Sequence, residues 1–208
     1  MQRRQGPGLS LAEWLVLCLV SEEPAHGFAL ALLLAPHGSV GKVWHVRKAV
    51  VYRAVQRLER LGLITAEGKQ HTSQGPPRAL LSATPEGHLA AQGWLRQPAA
   101  HPRDVRSELL VKLALLSRIG ADPRDLLLAQ RQQLIPVAEG LARQLCTVTG
   151  SGQVLMRWRH ESVGATLRFI DALLAAAPAP QASGNGVDSG AVAEPAARNR
   201  LDGTAGCR

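Results

Sequence analysis

The sequence has few aromatic residues, few cysteines and no long hydrophobic run. Phenylalanine, tryptophan and tyrosine make up 3% of its 208 residues, and Tyr52 is the only tyrosine. The cysteines are Cys18, Cys146 and Cys207. Their odd number and the lack of a C-x-x-C pair exclude a disulfide framework and a zinc ribbon, and they indicate a reducing cytoplasm.

The apolar run from Leu9 to Val20 follows two arginines and superficially resembles a secretory signal. Glu13 interrupts this run, and no A-x-A-like cleavage site follows it. The run is also too short to span a bilayer. A buried helix is therefore the better interpretation, and we expect a cytoplasmic protein that does not bind a membrane.

Catalytic and metal-binding motifs are also missing. The seven histidines show neither H-x-x-x-H nor H-E-x-x-H spacing, which zinc sites on helices often use. No G-x-S-x-G or comparable nucleophile motif is present. The sequence thus predicts a protein that is not an enzyme and has no catalytic residues, no metal site and no cofactor.

Positive charge, by contrast, is in excess. The chain has 24 Lys and Arg against 16 Asp and Glu, a formal net charge of +8. Such an excess favours a polyanionic partner, nucleic acid before membrane. Hydrophobic residues make up 46% of the sequence, which is enough for a core.

Periodicity and capping signals predict a winged helix-turn-helix near the N-terminus. A capping box, Ser10 with Glu13, begins the first helix, and Thr84-Pro85 begins the last. The predicted elements are helices at about 11–22, 26–34 and 47–61, the last stopping at Gly62, strands at 63–66 and 78–83, and a helix from Pro85. Three helices, a hairpin and a fourth helix are the order of a winged helix.

Composition divides the chain into three parts. We expect a winged-helix DNA-binding domain over 9–97, a helical dimerisation domain over 103–175 and a disordered tail over 176–208, where Ala, Pro, Gly, Ser and Asn dominate. The fold class is therefore mainly α with a small β-hairpin wing. The helical region has two apolar faces, Leu127, Leu134, Val137, Ala138, Leu141 and Leu145, and Leu155, Trp158, Ser162, Ala165, Phe169 and Leu173.

These two faces favour burial against a second copy of the chain, because helix-turn-helix regulators gain affinity from two half-sites. The alternative is packing within the chain, against the winged domain.

Several segments resemble the PadR family of bacterial transcriptional regulators. They are His26-Gly27-Phe28, Val43-Trp44, Val51 to Ile64, Gly75-Pro76-Pro77-Arg78 and Thr84-Pro85-Glu86-Gly87. In that family the His-Gly-aromatic segment opens the second helix, the tyrosine lies on the recognition helix and Gly-x-x-Arg lies where the wing turns back. The resemblance implies a DNA-binding regulator with a winged helix.

The chain departs from the family pattern at several positions. Arg47-Lys48-Ala49 replaces the usual Ser-Pro-Gly, and Arg53 replaces a proline. In the wing, Ala79, Leu80 and Leu81 replace a basic residue and two tyrosines. No operator sequence or inducer of a relative can therefore be transferred directly to this chain.

The third helix has the composition of a DNA-reading helix. Its helical period predicts a core face of Val50, Val51, Ala54, Val55, Leu58 and Leu61 and an opposite face of Tyr52, Arg53, Gln56, Arg57 and Arg60. From Lys42 to Arg60 there are six Lys or Arg and one acid, Glu59. Because Arg and Lys pair with guanine and Gln with adenine in the major groove, we expect DNA contacts from Arg47, Lys48, Tyr52, Arg53 and Gln56 of this helix and from Lys69, His71 and Arg78 of the wing. The alternative is an ordinary solvated cationic face.

The sequence thus predicts a dimeric repressor that binds a palindromic promoter site in double-stranded DNA. A small apolar effector near the dimer interface would control it, with Trp94 as the candidate contact. The competing hypothesis is a winged-helix adaptor that binds proteins and has lost sequence-specific DNA binding. The added charge at Arg47, Lys48 and Arg53 argues against the adaptor.

Overall fold

The computed structural model describes residues 8–70 and 78–176. Its elements are α1 (Leu11–Glu22), β1 (Ala25–His26), α2 (Gly27–Leu33), α3 (Lys48–Arg60), β2 (Ile64–Gln70), β3 (Arg78–Ala83), α4 (Pro85–Arg96), a helical turn α5 (Pro102–Asp104) leading through a π-helical stretch (Val105–Leu109) into α6 (Leu110–Arg118), α7 (Arg124–Leu145) and α8 (Ser151–Ala176). The prediction of a mainly helical winged-helix fold is confirmed. The predicted disordered tail lies outside the described residues, apart from Ala176 at the end of α8.

Helix α1 is the centre of the winged helix. Its predicted capping box is present: the Ser10 amide donates to Glu13 Oε2 at 2.6 Å, and the Glu13 amide donates to Ser10 Oγ at 3.4 Å. All six residues from Leu15 to Val20 are buried. A helix that is apolar all round is a core helix, and α1 packs against α3, α4 and β3.

The sheet has one strand more than the sequence predicted. Its order is β1-β3-β2, and both pairings are antiparallel. In β1, His26 pairs with Leu80, and its ring Nδ1 lies 3.0 Å from the Ala79 carbonyl oxygen. The second helix therefore begins at Gly27 and not at His26. Two residues are too few to show the alternation that identifies a strand.

The predicted start of α4 is confirmed in detail. Thr84 is the N-cap, and its hydroxyl accepts a hydrogen bond from the Gly87 amide and donates one to the Gly62 carbonyl. A Cβ on Gly87 would lie 2.0 Å from the Leu63 carbonyl oxygen, so a side chain there would collide with the backbone. Gly62, at φ +68°, takes the left-handed conformation that ends α3.

A buried polar cluster joins the winged helix to the helices that follow. The rings of Trp14 and Trp94 stack with centroids 5.2 Å apart. Lys112 of α6 is fully buried, and its Nζ lies 4.4 Å from the Trp94 ring centroid. That ammonium donates to the Gln97 carbonyl oxygen at 2.7 Å and to Glu108 Oε1 at 2.5 Å. Burial lowers the pKa of Lys112, and the hydrogen bond that its ammonium donates to Glu108 opposes that shift.

Two glutamines of α7 hold the connection between α4 and α5 through hydrogen bonds. Gln130 of α7 is fully buried; its Oε1 accepts the Ala99 amide at 2.7 Å, and its Nε2 donates to the Ala99 carbonyl. Gln133 Nε2 donates to the carbonyls of Ala99 and Ala100, both at 3.0 Å. These bonds pair the backbone groups of Ala99, the buried residue of this connection, and tie the connection to α7.

Helices α7 and α8 pack against each other, and most of the α8 face that the sequence expected to meet a second copy of the chain is exposed. The buried residues of α8 are Val163 and Ile170, which the predicted stripe did not include. Four large apolar side chains of α8 are exposed: Val154 at 73%, Trp158 at 67%, Leu155 at 46% and Phe169 at 41%. Within residues 8–70 and 78–176, no helix is long and apolar enough to cross a membrane.

Candidate nucleic-acid interface

Helix α3 buries one face in the core and presents the other to solvent. Its buried residues are Val51, Ala54, Val55 and Leu58. The exposed side chains include the basic and polar residues Lys48, Tyr52, Arg53, Gln56, Arg57 and Arg60. Leu61, expected in the core, is the C-cap and is 45% exposed, because the helix ends there and the chain turns away at Gly62. Val50, also expected in the core, is half-buried at its edge, and the rest of the predicted division of this helix is confirmed.

The start of α3 carries positive charge without a compensating acid. Arg47 is the N-cap and its side chain makes no capping hydrogen bond, Lys48 is the first helical residue, and the first turn has no acidic side chain. The helix dipole also places partial positive charge at this end. The exposed start of α3 is thus electrostatically suited to a phosphate group.

Two aromatic rings flank Lys48. Its Nζ lies 5.4 Å from the ring centroid of Phe28 in α2 and 6.0 Å from that of Tyr52 in α3. Phe28 is 43% exposed and Tyr52 is 39% exposed. A Cβ on Gly27 would lie 3.0 Å from Cε1 of Tyr52, so the glycine allows the tyrosine ring to lie against the start of α2.

The two ends of the basic face differ in their contacts. Arg57 pairs with Glu13 of α1, Nε to Oε1 at 3.1 Å, and Arg60 Nε donates to the Gln56 carbonyl at 3.3 Å. The side chains of Arg53 and Gln56 have no hydrogen-bond or ion-pair partner among the described residues. Arg53 and Gln56, in the middle of α3, are therefore available for an external ligand, and Arg57 is engaged within the protein.

The wing is described in part. Lys69 pairs with Ala79 and Gln70 pairs with Arg78, and the register between β2 and β3 is irregular between Glu67 and Lys69. The backbones of Lys69 and Arg78 thus flank the tip of the hairpin, where both were expected. His71, the third predicted wing contact, lies outside the described residues.

Trp94, the candidate effector contact, is a core residue in this structure. It is 7% exposed, stacked on Trp14 and covered by Lys112. Contact between Trp94 and an effector remains an untested prediction, and it would require this stack to open.

A larger opening lies on the helical region. It is a groove of about 910 Å³ between the α5 segment and helices α7 and α8. Its lining combines apolar and basic residues: His101, Pro102, Arg103, Arg106, Leu134, Val137, Leu141, Leu155, Trp158, Arg159, Ser162, Val163 and Thr166. The groove adjoins the exposed apolar side of α8, because Leu155 and Trp158 belong to both.

Sequence reasoning missed the contact of Phe28 with Lys48 and the engagement of Arg57 by Glu13. Both join residues of different helices. The His26-Gly27-Phe28 motif was the one signal near Phe28. In the part of the chain that the structure describes, no three His, Cys, Asp or Glu residues lie close enough together to hold a metal ion.

Comparison with known proteins agrees with this geometry. Residues 16–93 match the family model described as the transcriptional regulator PadR-like family. No curated protein sequence matches the chain. Among solved structures, PadR of Bacillus subtilis in complex with operator DNA is 15% identical, with a TM-score of 0.43 over 82% of this chain and 99% of that one. The Vibrio cholerae virulence activator AphA is 24% identical, with a TM-score of 0.36 over 79% of this chain and 96% of that one.

The assignment rests on the sequence match and not on these distant structures. The matched range runs from α1 to α4 and includes all of α3 and the wing. Residues 16–93 of this chain thus match the PadR-like family of transcriptional regulators, the resemblance that its motifs indicated.

Proposed function

We propose that the protein is a homodimeric transcriptional repressor that binds a palindromic promoter site in double-stranded DNA. The observation that carries the proposal is the exposed face of α3 from Lys48 to Gln56, where Tyr52 and Gln56 lie among basic side chains. Recognition helices place their N-terminal residues at base edges in the major groove. Tyr52 and Gln56 contact bases in this proposal, and Arg47, Lys48 and Arg53 contact bases or phosphates around them.

The wing supplies affinity without sequence information. Lys69, His71 and Arg78 contact phosphates, which fix the orientation of the protein on the duplex. Arg57 contributes less than Arg53, because Glu13 already holds its guanidinium. The competing function, a protein-binding adaptor, does not require the exposed positive charge of Arg47, Lys48 and Arg53.

Dimerisation is proposed to occur through the helical region. Val154, Trp158 and Phe169 are exposed on α8, and large apolar side chains in one region of a surface typify interfaces. The groove between α7 and α8 extends this surface. A dimer places two copies of α3 on two half-sites of the palindrome.

The proposed effector binds at the groove beside this interface. Its lining joins an indole and aliphatic side chains with three arginines, which suits a ligand with an apolar body and a negatively charged group. The purely apolar effector expected from the sequence is less well matched to this lining. Binding there would alter how the two protomers meet and so the spacing of the two α3 helices.

Gln56→Ala tests base reading by α3. We expect affinity for the specific site to fall by about 1–3 kcal/mol, with little change on random DNA, because an amide that pairs with adenine discriminates among bases. Fluorescence anisotropy with the promoter fragment and with unrelated DNA of equal length gives both affinities. Gln92→Ala, at an exposed glutamine of α4, is the matched control. Equal losses on both DNAs would make Gln56 a backbone contact, and equal wild-type affinities for both DNAs would favour the adaptor.

A further inference from the structure

The contact between Phe28 and Lys48 crosses from α2 to α3. Phe28 lies one residue after the start of α2, and Lys48 is the first residue of α3. The distance from Nζ to the Phe28 centroid, 5.4 Å, is within the range of a cation–π contact. Tyr52, one turn further along α3, lies 6.0 Å from the same ammonium. One lysine is thus held between two rings on the face that we propose contacts DNA.

The position of Lys48 is otherwise unfavourable for a cation. A positive side chain in the first turn of a helix faces the positive end of the dipole, and no acid in this turn compensates for it. A lysine on the surface also samples many rotamers, and fixing it for one contact costs conformational entropy. Two rings that attract the ammonium reduce both costs before any ligand arrives.

We infer that Phe28 is a positioning residue for DNA binding: with Tyr52 it holds the Lys48 ammonium at the start of α3, where a phosphate meets it. This inference rests on the proposed function of α3. Phe28 acts through Lys48, so its effect on DNA affinity depends on the lysine being present. Gly27 belongs to the same arrangement, because a Cβ there would come within 3.0 Å of the Tyr52 ring.

A double-mutant cycle tests this dependence. We expect Phe28→Leu to weaken binding to the promoter fragment about two- to fivefold, the size of an exposed cation–π contact. In the Lys48→Met background, which keeps the length of the side chain and removes its charge, Phe28→Leu should have no further effect. Phe28→Tyr keeps a ring and should restore wild-type affinity. Leu32→Ala, at a residue 55% exposed on the same helix, should change nothing.

Proton NMR of the protein without DNA tests the contact between Phe28 and Lys48 independently of binding. Ring currents of Phe28 and Tyr52 should shift the ε-methylene proton resonances of Lys48 upfield, and Phe28→Leu should move them toward the random-coil position. The same loss of affinity in both Lys48 backgrounds, or no loss in either, would overturn the inference and leave the proposed function standing. A wild-type protein that binds no DNA would overturn both.

Discussion

Replacing Lys112 by alanine should destabilise the protein by about 3–5 kcal/mol, the cost of removing one partner of a buried ion pair. The substitution leaves the Gln97 carbonyl without its donor and Glu108 without its counter-charge. It also removes the ammonium from the Trp94 ring and opens a cavity beside the stacked tryptophans. Urea denaturation followed by tryptophan fluorescence measures the change.

Two further variants make that result specific to the buried ammonium. Lys112→Met leaves the Gln97 carbonyl and Glu108 unpaired in the same way but fills most of the cavity, so its cost should be smaller, about 1–3 kcal/mol. Lys42→Ala removes an exposed lysine and should be nearly neutral. A loss below about 1 kcal/mol for Lys112→Ala would show that the cluster contributes little to joining α1, α4 and α6.

The second large effect is expected on assembly. Trp158→Glu places a charge on the exposed apolar side of α8, where we propose that two protomers meet. Burying an unpaired carboxylate is prohibitive, so the variant should be a monomer at micromolar concentration. Its affinity for the promoter site should fall at least about tenfold, because a monomer contacts one half-site.

Light scattering and anisotropy measure these two changes. Leu89→Glu is the matched control, because Leu89 is 70% exposed on α4 and lies outside the proposed interface. It should leave both the mass and the affinity unchanged. A Trp158→Glu protein that is still a dimer would place the interface elsewhere, and a monomeric wild type would remove the dimer from the proposal.

The elements that sequence reasoning predicted well are those with local signals. The capping box at Ser10, the left-handed glycine at Gly62 and the Thr84-Pro85 start of α4 all satisfy backbone groups within a few residues. Such bonds depend on neighbouring residues in the chain and can be recognised from spacing alone. The division of α3 into a buried and an exposed face follows equally from its period.

The features that could not be predicted from the sequence depend on contacts between distant segments of the chain. Strand β1 exists because β3 pairs with it, and no pattern within two residues shows this. Trp94 is closed off by Trp14 and Lys112, which lie 80 residues before it and 18 after it. The side of α8 that packs within the chain was not predicted, because apolar residues lie on more than one side of that helix and only packing against α7 decides which side is covered.

The central claim is that the N-terminal half of α3 binds DNA, and a salt titration of promoter binding tests it most directly. Each phosphate that a side chain neutralises contributes a slope of about −0.9 in log affinity against log salt. The side chain of Arg53 is exposed and unpaired among the described residues, whereas Arg60 donates to its own helix near the far end. If Arg53 contacts a phosphate, Arg53→Ala should flatten the wild-type slope by about one unit, and Arg60→Ala should leave it nearly unchanged. A larger change for Arg60→Ala, or a wild-type affinity that does not depend on salt, would contradict the account.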